Sequence, residues 1–168
     1  MGMIKIGYFN TGIVDAPKER TKIRLEKGAV LIFKGNCSLG AGCRINVSSN
    51  GLVVFGDNFS ATSRSTFYCN KKIEFGDDCL VSWDCLFMDT DSHKIFQDGK
   101  YINHDAEICI GNHVWIGCRS TILKGVSIAN DSVIGAGAVV TKDCISEKCV
   151  YAGNPAVIVK SNVAWSKE

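Results

Sequence analysis

The sequence lacks a strong excess of charge of either sign. Its 168 residues include 19 Lys and Arg against 17 Asp and Glu, which gives a formal net charge of +2. A surplus this small is poorly suited to binding nucleic acid. No apolar run reaches membrane-spanning length, and the opening MGMIKIGYFNTG lacks the basic-then-apolar pattern of a signal peptide. We therefore expect one cytoplasmic domain over residues 1–168, with no nucleic-acid partner and no transmembrane segment.

An aliphatic residue returns at every sixth position in the second half of the chain: Ile110, Ile116, Ile122, Ile128, Ile134 and Val140. A period of six is neither the helical nor the plain strand period. It fits a coil of three short strands, each ending in a corner, so that about eighteen residues bring the chain back one layer higher. The sequence therefore predicts an all-β parallel β-helix solenoid whose aliphatic side chains point inward and stack.

The same phase extends toward the N-terminus in a less regular form, through Phe33, Leu39, Ile45, Phe55, Ala61, Phe67, Phe75, Val81 and Phe87. These phase residues predict about five to six coils: a β-helix over 33–146, an irregular cap or opening coil over 1–32, and a C-terminal extension over 147–168. Uneven spacing predicts small corner excursions near Ser49–Gly51 and Lys71–Ile73.

One interval is much longer than the others. Between Phe87 and Ile110 the register disappears for about one coil's length, which leaves residues 88–107 as a polar segment with two of the three histidines. Long loops without secondary structure are uncommon in compact domains and usually carry function. The sequence therefore predicts one long functional loop over 88–107.

The nine cysteines form no CxxC motif and no Cys/His cluster with zinc-site spacing. Each of four cysteines stands four residues after a phase residue: Cys37, Cys43, Cys79 and Cys85. Val114, Ser120 and Ala138 hold the same slot later in the chain. We therefore interpret these cysteines as small packing residues and expect neither disulfides nor a metal site.

Two stretches carry a resemblance to a known family: IGNHVWIGCRSTILKGVSIANDSVIGAGAVVTKDC and, after it, CVYAGNPAVIVK. Both are similar to the C-terminal half of the hexapeptide-repeat O-acetyltransferases, which include galactoside and maltose acetyltransferases and the sugar acetyltransferases of surface-polysaccharide pathways. The similarity covers about Phe33 to Lys160. It implies a left-handed β-helix, a homotrimer with active sites between subunits, acetyl-CoA as co-substrate and a sugar acceptor.

The segment FMDTDSHKIF contains the candidate catalytic residue, His93. Acetyl transfer from a thioester requires the acceptor to lose a proton, and a neutral imidazole can take it. His93 matches the catalytic histidine of the family by position. Asp89 and Asp91 are expected to orient its ring or bind acceptor hydroxyls. The alternative is that all three residues only solvate a surface loop.

The resemblance also implies coenzyme contacts, at Gly117, Cys118, Ala136, Thr141, Lys142 and Lys160. The backbone N–H of Cys118 would face the thioester oxygen. Trp115 lies beside phase residue Ile116 and therefore points outward, where it walls the acceptor end of the cleft or packs in a subunit interface. Val157 departs from the family, because relatives often place Lys or Arg there. Of the other histidines, His104 is expected to be a solvated loop residue and His113 a turn residue.

These residues together predict an acetyl-CoA-dependent O-acetyltransferase that acts on a sugar hydroxyl in surface-polysaccharide biosynthesis. Transfer would be direct, with His93 as the general base. Two alternatives stay open at this point. One is an N-acetyltransferase acting on an amino sugar or small amine, and the other is a non-catalytic β-helix scaffold subunit.

Overall fold

The computed structural model describes residues 2–8 and 18–167, and the strands in these residues form three mainly parallel sheets and one hairpin. Sheet A contains β1 (Ile4–Tyr8), β4 (Cys37–Gly40), β7 (Phe59–Ala61), β10 (Leu80–Val81), β15 (Trp115–Ile116), β18 (Val133–Ile134), β20 (Cys149–Gly153) and β21 (Ala156–Ser161). Sheet B contains β2 (Lys22–Leu25), β5 (Arg44–Val47), β8 (Thr66–Cys69), β11 (Leu86–Met88), β16 (Thr121–Leu123) and β19 (Val139–Val140). Sheet C contains β3 (Val30–Phe33), β6 (Leu52–Phe55), β9 (Lys72–Phe75), β14 (Ile108–Ile110) and β17 (Ser127–Ile128), and the hairpin joins β12 (Phe96–Gln97) to β13 (Lys100–Tyr101).

The chain visits sheets A, B and C in turn, so the sheets are the three faces of a parallel β-helix. This confirms the predicted fold class. We name the three corners of the coil the A–B, B–C and C–A edges, after the faces that they join. No helix in residues 2–8 and 18–167 is long and apolar enough to cross a membrane.

The phase residues stack as the six-residue period predicts. In sheet A, Leu39, Ala61, Val81, Ile116 and Ile134 lie in one column, and in sheet B the column is Ile45, Phe67, Phe87, Ile122 and Val140. In sheet C, Phe33 pairs with Phe55, Phe75 pairs with Ile110, and Ile110 pairs in turn with Ile128. All but the half-buried Phe33 are buried. Burial of each large side chain stabilises the fold by about 1.5–3 kcal/mol.

The cysteines that share the packing slot are buried, as predicted, and carry free thiols: Cys37, Cys43, Cys79 and Cys85. Burial raises the pKa of the Cys37 thiol to about 12 and that of Cys85 to about 11. These thiols are therefore protonated packing groups at neutral pH. Within the described residues, no group of three or more His, Cys, Asp or Glu side chains is arranged to hold a metal ion.

The C–A edge carries a ladder of Asn and Asp side chains, formed by Asn36, Asp57, Asp77, Asn112 and Asn130. An oxygen of each of the last four accepts the backbone N–H of the preceding member, at 2.6–2.8 Å. The side chains thus satisfy corner N–H groups that the sheets leave unpaired. This edge keeps the six-residue step, since Phe33 precedes Leu39 and Phe75 precedes Val81 by six residues.

The B–C edge, by contrast, takes up all the irregular spacing. Ten residues separate Ile45 from Phe55, and eight separate Phe67 from Phe75. The long loop lies at this same edge, between β11 and β14. The prediction of one long loop between these coils is confirmed, because Phe87 and Ile110 are consecutive phase residues on adjacent faces. The loop is a corner excursion with the β12–β13 hairpin at its tip.

The two ends of the chain extend the coil. Strands β1, β2 and β3 pair with the next turn, which agrees with an opening coil, although residues 1 and 9–17 of the expected 1–32 segment lie outside the described residues. At the other end β20 adds one more strand to sheet A, and β21 returns antiparallel to it. Residues 162–167 then run back along the C–A edge, where Lys167 donates to the carbonyl of Asn58.

Candidate functional site

His93 lies in the long loop at the B–C edge, and its side chain is exposed. Its backbone N–H donates to the carbonyl of Asp91 at 2.7 Å, and its carbonyl accepts from Asn103 Nδ2 at 2.8 Å. The imidazole itself hydrogen-bonds to no residue that the structure describes. It borders a pocket of about 160 Å³, whose other lining residues are Asn70, Thr90, Ser92, Lys94, Tyr101 and Asp105. The backbone is thus held in place while both ring nitrogens stay available.

Asp91 anchors the loop to the coil above. Its Oδ2 accepts from Lys124 Nζ at 2.5 Å and from Asn103 Nδ2 at 2.7 Å. The hydrogen bond from Lys124, followed by that from Asn103, lowers the pKa of Asp91. Lys124 Nζ also donates to the Asn103 carbonyl at 2.9 Å. Asp91 therefore positions the loop that carries His93, and its carboxylate does not contact the imidazole.

Asp89 has a different place from the one expected. Its side chain is fully buried, and its carboxylate accepts the backbone N–H groups of Asn70, Lys71 and Lys72 at 2.7–2.8 Å. Cys69 Sγ lies 3.3 Å from the same carboxylate. A carboxylate engaged in this way has no free surface for an acceptor hydroxyl. The expectation that Asp89 binds substrate or orients His93 is therefore corrected: Asp89 caps the corner beneath the loop.

Trp115 lies on the outer face of sheet A, 37% exposed. Its Nε1–H donates to Ser82 Oγ at 3.1 Å. The chain then turns the A–B edge through Gly117 and Cys118, and Gly135 and Ala136 form the same corner one coil higher. A Cβ on Gly117 would lie 2.6 Å from the backbone nitrogen of Ala136, so the two corners touch closely.

Several backbone donors are open at this edge, among them two of the residues expected to contact the coenzyme. The N–H groups of Cys118 and Ala136 donate to no acceptor in residues 2–8 or 18–167, while their neighbours Gly117 and Gly137 are paired with the carbonyls of Ile134 and Cys118. Cys118 and Ala136 have small side chains and each follows a glycine, so an extended ligand can approach the backbone. Open, stacked N–H groups are the donors that an amide-bearing arm or a thioester oxygen needs.

The remaining coenzyme candidates lie at the top of the prism. Thr141 and Lys142 follow β19 at the B–C edge and are exposed, and Lys160 is an exposed residue of β21. Lys160 pairs with Val150 in the register of the two strands. The structure therefore brings together Trp115, Gly117, Cys118 and Ala136, and separately groups Asp89, Asp91 and His93. None of the pockets described contains members of both groups.

The other histidines have structural roles. His113 occupies a C–A corner at a φ of 52°, which confirms the predicted turn, and its Nδ1 lies 2.8 Å from Asp131 Oδ1. His104 packs against Tyr101 with ring centroids 4.1 Å apart. Sequence reasoning missed Lys124 and Asn103, the partners of Asp91, and Ser82, the partner of Trp115. Lys124 could have been placed above the loop only by assigning each residue of β16 to its partner in β11, one turn below.

Comparison with known proteins identifies the family of the chain. The family profile described as "Bacterial transferase hexapeptide (six repeats)" matches residues 110–142. A polysialic acid O-acetyltransferase of Neisseria meningitidis is 37% identical over 88% of this chain and 70% of its own length. The chain belongs to the hexapeptide-repeat acetyltransferases. It is thereby an enzyme of the acyltransferase class.

Two further relatives extend the comparison within this family. A polysialic acid O-acetyltransferase of Escherichia coli O1:K1 is 42% identical over 59% of this chain, a match that spans only 32% of that relative's length. Among solved structures, the polysialic-acid-specific acetyltransferase NeuO superposes with a TM-score of 0.60 and 25% identity, covering 89% of this chain and 83% of its own. Fold and family are therefore supported over most of the chain.

Proposed function

We propose that this hexapeptide-repeat acetyltransferase transfers an acetyl group from acetyl-CoA to a sugar hydroxyl in the biosynthesis of a surface polysaccharide. The observation that carries the proposal is the pair of half-sites on separate edges. One presents an unpaired imidazole in a shallow polar pocket, and the other presents the open N–H groups of Cys118 and Ala136 beside Trp115. The relatives named for polysialic acid and galactoside O-acetylation support a sugar acceptor.

In the proposed reaction His93 acts as general base. Its neutral imidazole takes the proton of the attacking hydroxyl while the oxygen bonds to the thioester carbon. The Cys118 N–H donates to the oxyanion that forms, and the protonated imidazole returns its proton to the departing CoA sulfur. Ala136, Thr141, Lys142 and Lys160 would hold the coenzyme.

We further propose a homotrimer in which each site joins His93 of one subunit to Cys118 of the next. The half-sites lie on different edges of one protomer, so neither is complete alone. The β12–β13 hairpin beside His93 exposes Ile95, Phe96 and Ile102, each at least half exposed, and Trp115 is also uncovered. Apolar groups of this kind are typical of an interface. Nine free cysteines fit a reducing compartment such as the cytoplasm.

The test begins with coenzyme release on oligosialic acid, a galactoside, maltose and an amino sugar. We expect turnover on a hydroxyl acceptor, with His93→Ala lowering kcat by about two to four orders of magnitude at unchanged CoA affinity. His104→Ala is the matched control and should keep most activity. Acetylation at nitrogen would replace the O-transfer proposal, and coenzyme release from none of these acceptors would favour the scaffold alternative.

A mixing experiment tests the shared site. Ala136 is exposed, so Ala136→Phe should block the coenzyme edge without disturbing the core. Co-refolded His93→Ala and Ala136→Phe subunits should regain activity, to about one quarter of wild type for random mixing, because some interfaces unite two intact halves. If both halves of a site belong to one protomer, every site in the mixture carries one of the two substitutions and the mixture stays inactive.

A further inference from the structure

The C-terminal tail approaches the proposed acceptor wall. Residues 162–167 return along the C–A edge, where the Val163 N–H donates to the Lys148 carbonyl at 2.9 Å. Trp165 then reaches the turn that precedes β15. Its Nε1–H donates to the His113 carbonyl at 2.9 Å, and its ring stacks on the His113 imidazole, 4.3 Å between centroids and 8° from parallel. Trp165 is therefore held by both a hydrogen bond and a ring contact.

The indole of Trp165 also meets that of Trp115. Their ring centroids are 6.0 Å apart at an interplanar angle of 39°. This separation lies in the range of favourable aromatic pairs. Trp115 is thus fixed between two neighbours, Ser82 at its Nε1 and Trp165 at its ring.

A series of contacts makes this arrangement rigid. Asp131 holds His113 through Nδ1, His113 supports Trp165, and Trp165 supports Trp115. The series reaches from the corner above β15 to its outer face. An exposed indole without such support would sample several rotamers, and each rotamer would present a different surface to a bound sugar.

We propose that Trp165 is a positioning residue for the acetyl transfer, one that fixes the indole of Trp115 as the wall of the acceptor site. This inference rests on the proposed function, because it requires Trp115 to border the acceptor. The tail would then belong to acceptor recognition, although it lies outside the hexapeptide coils. Loss of Trp165 should affect the acceptor and leave coenzyme binding unchanged, since Cys118 and Ala136 lie at the other edge of sheet A.

The test is a double-mutant cycle on Trp115 and Trp165, with kcat and KM measured for the acceptor from the panel above that the wild type acetylates fastest. Trp165→Ala should lower kcat/KM for the acceptor by about threefold to tenfold, mainly through KM, at unchanged KM for acetyl-CoA. In a Trp115→Ala background, Trp165→Ala should have no further effect. Trp165→Phe keeps the ring contact and should restore part of the loss. Trp83→Ala, which removes the third tryptophan, is the control and should combine additively with Trp165→Ala.

A second measurement reports on the contact without turnover. In a Trp83→Phe protein only Trp115 and Trp165 remain, and their near-ultraviolet circular dichroism should weaken by similar amounts when either is replaced by Phe.

Two results would overturn the positioning role: full acceptor kcat/KM in Trp165→Ala while Trp115→Ala is impaired, or an equal effect of Trp165→Ala in both backgrounds. Either would leave the proposed function standing. If the wild type acetylates none of the acceptors, the proposed function fails first. An unchanged dichroism spectrum would then refute the Trp115–Trp165 contact independently.

Discussion

Replacing Asp89 with Asn separates its structural role from the catalytic role that the sequence suggests. The carboxylate accepts three backbone N–H groups, from Asn70 at one oxygen and from Lys71 and Lys72 at the other. An amide offers one oxygen, so its NH₂ group must face at least one of these donors. Asp89→Asn therefore loses at least one charge-assisted hydrogen bond and leaves buried donors unpaired.

The expected cost follows from these contacts. A hydrogen bond to a charged group contributes about 1.5–3 kcal/mol, and the two bonds that remain become neutral and weaker. We expect Asp89→Asn to lower the free energy of unfolding by about 2–4 kcal/mol. For a domain of this size each kcal/mol lowers Tm by roughly 2–4 °C, so the shift should be about 4–16 °C.

The assay is thermal unfolding by circular dichroism, together with kcat measured well below either Tm. Asp91→Asn is the matched control in the same loop. The side chain of Asp91 is 39% exposed, so loss of its ion pair with Lys124 should change stability by about 1 kcal/mol or less. An unchanged Tm combined with a large loss of kcat in Asp89→Asn would refute our reasoning and return Asp89 to the acceptor site.

Three further predictions follow from the described contacts. Iodoacetamide at pH 8 should label half-exposed Cys118 first and Cys109 more slowly, because burial raises the pKa of Cys109. CoA should protect Cys118 alone, and an equal rate of Cys118 labelling with and without CoA would argue against a coenzyme at the A–B edge. In chemical denaturation, Cys85→Ser should lower the free energy of unfolding by less than about 1 kcal/mol, because Cys85 Sγ lies 3.2 Å from the Gly117 carbonyl, which can accept from the new hydroxyl. Cys37→Ser should lower it by about 1–3 kcal/mol, because Cys37 Sγ has no hydrogen-bond acceptor among the described residues, and equal losses in the two variants would contradict this reasoning. Since Lys124 lowers the pKa of Asp91, the Asp91–Lys124 ion pair should stabilise the loop fully above the ordinary Asp value of 3.8 and be lost as pH falls through the lowered pKa. Hydrogen exchange in residues 89–107 should rise in that pH range in the wild type and not in Asp91→Asn, and equal rises in both proteins would exclude the ion pair as the cause.

The fold was predictable because one constraint repeats. Each phase residue must lie over its counterpart in the next turn, and the six-residue period survives wherever the corner needs no extra chain. The packing slot of Cys37 and Cys85 was predictable for the same reason. Counting alone also placed the long loop between Phe87 and Ile110, but it did not reveal the β12–β13 hairpin at the tip, because the loop carries no periodic signal.

The roles of the two aspartates were not predictable from spacing. Asp89 and Asp91 are both near His93 in sequence, but they lie beyond the end of β11 at Met88, where the alternation of a strand no longer sets the direction of each side chain. Asp89 continues inward beneath the loop, where its partners are Asn70 to Lys72. Asp91 faces Lys124, which is distant in sequence and adjacent only after one turn of the coil. The contact of Trp165 with Trp115 likewise depends on the path of the tail, which has no periodic signal.

The confinement of irregular spacing to the B–C edge has an evolutionary consequence. At the B–C edge the step from one phase residue to the next is ten, eight and then twenty-three residues in successive turns. The A–B edge keeps its six-residue step, including the corners at Gly117 and Gly135. Chain can thus be inserted or exchanged at one edge without moving the backbone that would meet the coenzyme. Selection for a new acceptor could therefore act on loop 89–107 while the backbone of the A–B edge is kept. A designer could use the same separation, by grafting loops between relatives at β11 and β14 on an unaltered coil.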